Sequence, residues 1–497
     1  MSGSYTLQIL HAADFEAATA ALDRAPNFAA IVDALEDTYD NSITLSSGDN
    51  YLPGPFIAAQ TDATVTPALR LFYAALLGVP ADSVAALTTA PARFDIAILN
   101  AIGVQASVFG NHEFDLGPEV VAGAIDVTAA AGRVTGLGAQ FPYLSANLDF
   151  LTDPALAPLF TADLREAGSF ATRAADLADA EALALEAADA QIAPWTIVQE
   201  GGERIGILGV TTQTLAGISS PGRVGILDPA GDGGRDNMAE LATILQPRLD
   251  ALREQGVDKV VLLSHLQQYQ NELALAGLLS GVDVLIAGGS DAIFADSDDA
   301  LRPGDMAQER YPVLRTGADG APVLVVNTGR EYGYVGRLVV TFDEDGRVLP
   351  DSVDTAVSGA VATTDASVVA IAGEDAFADG SRGAQVRGLT DALGEVINAK
   401  DGNVLGFTDV FLEGRRAAVR SEETSFGNLT AEANLAAARA VDPEAVISIK
   451  NGGGIRAEIG TIVGTPPEAL PPPANEGAGK PEGGVSQLDV ENALRFN

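Results

Sequence analysis

The chain has 497 residues, 47% of them hydrophobic, which is too long for a single core and implies two or more domains. No apolar run approaches the length of a membrane span, and the absence of cysteine excludes disulfides and thiolate metal ligands. A formal net charge of −39 repels nucleic acid and anionic membranes, so an anionic substrate needs a local positive patch to bind.

In chain order, short apolar runs that read as buried strands alternate with helical patterns as far as about residue 343, the signature of an α/β domain. The strand-like runs are YTLQIL (5–10), SITLS (42–46), ASVF (106–109), RIGILGV (204–210), DKVVLLS (258–264), VDVLIA (282–287), PVLVV (322–326) and GRLVVTF (336–342). FDIAILNAIG (94–103) and DNMAELATILQPRLDALREQG (236–256) are helical patterns, and the Ala-, Asp- and Glu-rich stretch 155–193 reads as inserted helical decoration. Residues 346–401 read as a linker ending in a helix over 385–400, with Val386, Leu389, Leu393 and Val396 on one face. A smaller α/β unit over 402–497 follows, with strand-like 403–412 and 445–449 and helical 428–441. Its stretch 465–484 is an extended Pro- and Gly-rich loop. The start lacks the basic and apolar regions of a secretory signal, which by itself favours the cytoplasm.

The residues that follow the buried runs are of one chemical kind. After 5–10 come His11, Asp14 and Glu16; after 42–46, Asp49; after 106–109, GNHEFD; after 258–264, His265; after 282–287, Asp291. In α/β sheets, sites form outside the carboxyl ends of strands, and all three histidines of the chain stand at such ends. Asp14, Glu16, Asp49, Asn111, His265 and Asp291 together offer hard oxygen donors and one imidazole. Two cations ~3.5–4 Å apart in such a set suit in-line displacement at phosphorus. His112, beside Asn111, can protonate a leaving group or bind a phosphoryl oxygen, and Asp115 is placed to hold its other nitrogen. Taken singly, Glu16 and Asp291 read equally well as helix caps. His11 reads as a core or supporting residue, Tyr332 and Tyr334 as packing residues, and Arg415 and Arg416 as solvated charges.

LQILHAADFE, SSGDNYLPG, FGNHEFDLG, LLSHLQ and VNTGREYGYVGRLVVTF resemble the metallophosphoesterase domain of the 5'-nucleotidase family. TSFGNLTAEA and KNGGGIRAEI resemble that family's C-terminal domain. The resemblance implies a four-layer αββα catalytic domain over 1–345 with a dinuclear metal site, then an incomplete nucleotide-recognition domain. It makes Asp14, Asp49, Asn111 and His265 metal ligands, with Asp49 as the bridge, and His112 and Asp115 the catalytic dyad. It makes Arg420, Asn451, Arg456 and Phe496 substrate-binding residues, with Phe496 stacking on the base and the arginines supplying positive charge. The implied activity is release of phosphate from 5'-nucleotides. The alternatives are a broader alkaline phosphatase, a cyclic-nucleotide phosphodiesterase, or a non-catalytic metal- and nucleotide-binding protein. The implied partner is a small nucleotide or phosphomonoester, with neither nucleic acid nor membrane, and the implied location is extracellular or periplasmic.

The chain departs from the family pattern in three places. Glu16 stands where histidine is usual, and Gly289 and Asp291 stand where GHxH or GHxQ supplies ligands. Replacing imidazoles by carboxylates shifts the expected pair of divalent ions from zinc towards Mg, Mn or Ca. The chain also stops at Asn497, before a further portion that the family's C-terminal domain carries, so the second unit is expected to expose core surface.

Overall fold

The computed structural model describes residues 4–172, 190–229, 231, 235–464 and 467–495. All eight apolar runs of the first part contain strands, and short additional strands complete two sheets. In chain order the sheet strands are β1 (Tyr5–Ala12), β2 (Ser42–Ser46), β3 (Ala106–Val108), β4 (Tyr143–Leu144), β5 (Ile192–Ala193), β6 (Trp195–Glu200) and β7 (Glu203–Thr211). They continue with β8 (Lys259–His265), β9 (Val284–Ile286), β10 (Val313–Thr316), β11 (Pro322–Val326), β12 (Tyr334–Phe342), β13 (Val348–Leu349) and β14 (Gly359–Ala362). One sheet runs β13-β12-β1-β2-β3-β4-β5 with β14 paired to β12, and the other runs β10-β11-β9-β8-β7-β6.

β1 to β5 are mutually parallel, as are β7, β8, β9 and β11, so both sheets present several strand carboxyl ends together. The two sheets share one core: Leu7, Ile9, Leu45 and Val108 of the first pack in the same cluster as Ile207, Val261, Leu263 and Ile286 of the second. Helices Ala21–Glu36 and Arg93–Ile102 and helix Met238–Glu254 bury apolar faces outside the sheets, Leu241, Leu245, Leu249 and Leu252 joining the common core. The first part is thus the expected αββα sandwich.

The chain divides into two compact units, 1–52 with 60–391 and 53–59 with 392–497. Residues 346–391, read from sequence as linker, belong with the first unit. β14 adds an edge to the first sheet, and Thr364 caps the helix Asp365–Ile371 by accepting from Ser367 N. Helix Arg382–Gly402 buries Val386, Leu389, Leu393 and Ile397, so the fourth buried position is Ile397 rather than Val396. Of the decoration expected over 155–193, residues 173–189 lie outside the described residues, and the rest form 3₁₀ turns and short strands.

In the second unit the helix Ser425–Val441 and the strand Val404–Phe407 form as expected, but 445–449 joins no ladder. Val446, Ile447 and Ile449 are 71%, 77% and 89% exposed, because an apolar run becomes a strand only where a neighbour pairs with it, and none of the described residues does.

Gly209 on β7 lies directly against β4 of the other sheet: a Cβ there would stand 2.6 Å from the Leu144 Cβ. Gly209→Ala should therefore overpack the shared core and cost about 1–3 kcal/mol, read as a lowered denaturant midpoint with an unchanged slope.

Candidate functional site

The first unit gathers its ligand-type side chains at the strand ends. Asp14 follows β1, Asp49 follows β2, Asn111 and His112 follow β3, and His265 ends β8. The loops are laced across the two sheets: Ser47 Oγ donates to the Ile286 carbonyl at 2.8 Å, and His265 Nδ1 donates to the Ser47 carbonyl at 2.7 Å. Gly289 N–H donates to both carboxylate oxygens of Asp14, at 2.8 and 3.0 Å.

Asp14, Asp49 and His265 form one group whose ligand atoms all lie within 4.8 Å of one another, and Glu16, Asp49 and His112 form a second. Asp49 is common to both. Asp14, Glu16, Asp49 and Asp291 all hold positive φ, between 37° and 53°, a region that non-glycine residues rarely occupy and that clusters at functional sites.

His265 tests whether this arrangement suits a cation. Its Nδ1–H is committed to Ser47, which leaves the Nε2 lone pair of the neutral ring inward. That buried atom stands 3.0 Å from Asp49 Oδ2 and 4.0 Å from Asp14 Oδ1 without completing a hydrogen bond. A lone pair confronting two carboxylates is repulsive unless a positive charge lies among them. A proton can supply it: burial opposes protonation, but Asp49 and then Asp14 outweigh it and hold His265 well above the usual histidine range. A divalent cation suits the same donors, two carboxylates and one imidazole.

The neighbouring groups respond to the same crowding. Burial, more than the charges of Asp49 and Glu16, raises Asp14 well above the usual carboxylate range. Glu16 is pushed up to about 7, chiefly by burial. Asp49 is also opposed by burial, yet His265 and His112 together hold it below its ordinary value.

His112 donates from Nδ1 to Asp115 Oδ2 at 2.5 Å, and Asp115 Oδ1 accepts from Ser219 Oγ at 2.7 Å. The other ring nitrogen, Nε2, lies 3.3 Å from Glu16 Oε1 and 4.0 Å from Asp49 Oδ2. Against burial, Asp49 and the Asp115 hydrogen bond raise His112 to about 10, so the metal-free ring is protonated at neutral pH. Its backbone N–H is held by Asp49 Oδ1 at 2.7 Å, which locks the β2 and β3 loops together.

Asp291 behaves differently. Its carboxylate is 45% exposed and pairs with Arg330 Nη1 at 3.0 Å, outside both ligand groups, because the guanidinium competes for it. His11 is buried against Tyr311, with Nε2 at 2.8 Å from the hydroxyl, and burial lowers it to about 3. Tyr332 packs against Phe15 and Phe28, and the Tyr334 hydroxyl donates to Asp305, both in packing roles.

In the second unit, Arg420 lies in the last turn of the helix Arg416–Ser421, beside the glycine turn that Asn451 caps. Asn451 Oδ1 accepts from Gly453 N at 3.0 Å, and a Cβ on Gly453 would lie 3.6 Å from Arg420 Nη2. Arg456 follows the turn, its backbone N–H bonded to the Ala493 carbonyl at 2.8 Å. Gly452 tolerates no side chain, since a Cβ would stand 2.2 Å from the Val419 carbonyl. Phe496 lies outside the described residues.

Sequence reading passed over Glu113, fully buried, whose carboxylate accepts the backbone N–H groups of Asp49 (3.1 Å), Asn50 (2.7 Å) and Gly110 (2.9 Å). A charged residue inside an otherwise buried motif was the signal for it. Ser219, 104 residues from Asp115, offered none.

No family model matches the sequence. A trifunctional nucleotide phosphoesterase of Bacillus subtilis (strain 168) is 29% identical over 370 residues, 73% of this chain and 21% of that protein. A Bos taurus 5'-nucleotidase is 26% identical over 366 residues, 73% of this chain and 51% of that one. The chain thus spans about half the length of the bovine relative and a fifth of the bacterial one. Among solved structures, a 5'-nucleotidase precursor of Thermus thermophilus aligns over 99% of this chain and 74% of its own, with TM-score 0.63 and 24% identity.

Glu113→Ala would strand three buried N–H groups at ~1–3 kcal/mol each, so a loss of roughly 3 kcal/mol or more is expected in chemical denaturation. His11 carries a pH signature. Between the ordinary histidine pKa and about 3, the unfolded chain binds a proton that the folded chain refuses. Stability from this group is therefore complete above that window and lost as pH falls through it. His11→Gln should lose about 2 kcal/mol less than the unmodified protein between pH 7 and 4.5, measured by urea unfolding at each pH.

Proposed function

We propose that the chain is a metal-dependent phosphohydrolase of the 5'-nucleotidase family that releases phosphate from 5'-nucleotides. The observation that carries this reading is the pairing of two groups of ligand-type side chains that share Asp49, the second of which includes the imidazole of His112, held by Asp115.

In this reading Asp14, Asp49, Asn111 and His265 would hold two divalent ions with Asp49 shared between them and Asn111 and His265 on the same ion, Glu16 would contribute a further carboxylate, and Asp291 would complete the set only if it leaves Arg330. Two such ions supply Lewis-acid polarisation of the phosphoryl oxygens and a nucleophile active at neutral pH. The residues do the rest. His112, protonated at Nε2, binds a phosphoryl oxygen or delivers its proton to the leaving oxygen. Asp115 fixes the ring through Nδ1 and stabilises its charge, and Ser219 fixes Asp115. Neutralisation of Glu16 and Asp49 by cations would relax the pull that raises His112, bringing it towards the pH range useful for acid catalysis.

Arg420, Asn451, Arg456 and Phe496 are assigned to the nucleotide, the arginines matching its anionic groups and Phe496 its base. The carboxylate-rich donor set favours Mg, Mn or Ca over Zn. A location outside the cytoplasm is part of this reading. No helix among the described residues is long and apolar enough to cross a membrane.

Phosphate release from AMP and from an aryl phosphate, assayed on metal-stripped protein across a panel of divalent salts, tests the reading. AMP should be preferred, with Mg, Mn or Ca restoring activity; restoration by zinc alone would count against the donor argument, and no hydrolysis with any metal would sink the enzyme assignment. His112→Ala should slow turnover ~10²–10⁴-fold with little change in KM.

A further inference from the structure

Position 289 is where the family resemblance expects a ligand side chain, and Gly289 provides none. The surrounding geometry shows what fills the space. Gly289 holds φ +83°, and a Cβ on it would lie 2.8 Å from His265 Nε2, 2.8 Å from Gln267 Nε2 and 2.9 Å from Gln267 N. The volume that a residue-289 side chain would enter is therefore already taken by the end of Gln267.

Gln267 stands two residues beyond His265 and adopts φ +67°, a left-handed conformation costly for a long side chain. Its amide nitrogen lies 2.5 Å from Asn111 Oδ1, and it borders, with His265 Nε2, the same small volume beside Gly289. We propose that Gln267 is a metal ligand, replacing the one that Gly289 lacks; this rests on the metallophosphohydrolase reading above.

The chemistry follows from the amide itself. Rotation by 180° about its last torsion exchanges oxygen for nitrogen with no other movement. Without a cation, the NH₂ end faces the Asn111 carbonyl oxygen as a hydrogen-bond donor. With a cation beside Asn111 Oδ1 and His265 Nε2, the oxygen end faces it, and two neutral amide oxygens share the coordination. This adds a ligand without adding charge to a cluster that already holds Asp14, Glu16 and Asp49. A hard oxygen here also reinforces the preference for Mg, Mn or Ca.

The test is Mn²⁺ titration of the metal-stripped full chain, with free Mn²⁺ followed by its electron paramagnetic resonance signal, for the unmodified protein, Gln267→Met and Gln267→Glu. Methionine keeps the length but offers only a soft sulfur, so at least one site should weaken ~10-fold or more. Glutamate keeps an oxygen ligand but cannot donate to Asn111, so it should bind Mn²⁺ at least as tightly as the unmodified chain. Unchanged affinity in Gln267→Met overturns the proposal. Equal weakening in both variants also overturns it, because Gln267 would then act only as a donor holding Asn111. If the unmodified chain binds no Mn²⁺, the metallophosphohydrolase reading fails first, and this inference with it. Circular dichroism melts of each variant separate lost binding from lost folding, and if Gln267→Met does not fold, the Gln267→Glu affinity alone decides: weakened binding overturns the proposal and retained binding supports it.

Discussion

The constraint on which the site depends is negative charge brought out of water. Asp14 and Asp49 are buried, Glu16 is mostly buried, and all three lie around two imidazoles at the meeting edge of two sheets. Charges in such a setting are costly unless compensated. The protein compensates partly by protonation, raising His265 and His112 and keeping Asp14 and Glu16 high. That solution is poor for a folded state and good for capturing a cation, which replaces several shared protons with one concentrated charge.

Backbone geometry sets this constraint. Parallel strands deliver their carboxyl ends to one edge, and the turns that follow are forced into left-handed conformations at Asp14, Glu16, Asp49 and Asp291. Glycine would relieve the strain at each position, so side chains are retained there at a conformational cost. Glu113 spans the turns, accepting N–H groups from the loops after β2 and β3, and Gly289 N–H binds Asp14 across the two sheets. These side chains are held by a hydrogen-bonded frame of the protein's own, the usual condition for a site placed within fractions of an ångström.

Much of this was legible in the sequence because parallel strands buried on both faces read as continuous apolar runs, and the residues after such runs sit at the edge where sites form. Asp14, Asp49, Asn111 and His265 were visible for that reason. What stayed hidden depends on pairings that no local pattern encodes. Ser219 reaches Asp115 over 104 positions, Arg330 takes the exposed carboxylate of Asp291, and Gln267 enters the space beside Gly289. The run 445–449 misled for the converse reason: apolar alternation marks a capacity to pair, and no described strand lies beside it. The strand at 359–362 stayed hidden similarly, since its small residues carry weak strand propensity yet complete an edge against β12.

The departures from the family's usual ligands form one coherent change. Relative to the family pattern, glutamate for histidine at position 16 adds a carboxylate and glycine at 289 removes a neutral donor, so the proposed site would gain charge while losing a ligand. Gln267 restores a donor without further charge, and Arg330 neutralises the carboxylate that Asp291 adds. The two residues answer the two consequences of the same substitutions: one restores coordination number, the other limits the accumulated negative potential. In a chain of net charge −39, where the proposed anionic substrate would approach against the overall field, that second correction matters as much as the first. Under the proposed function, such a site would trade the strong polarising power of an imidazole-bound zinc for weaker binding of harder cations, and His112 would then contribute more of the charge stabilisation at the leaving oxygen.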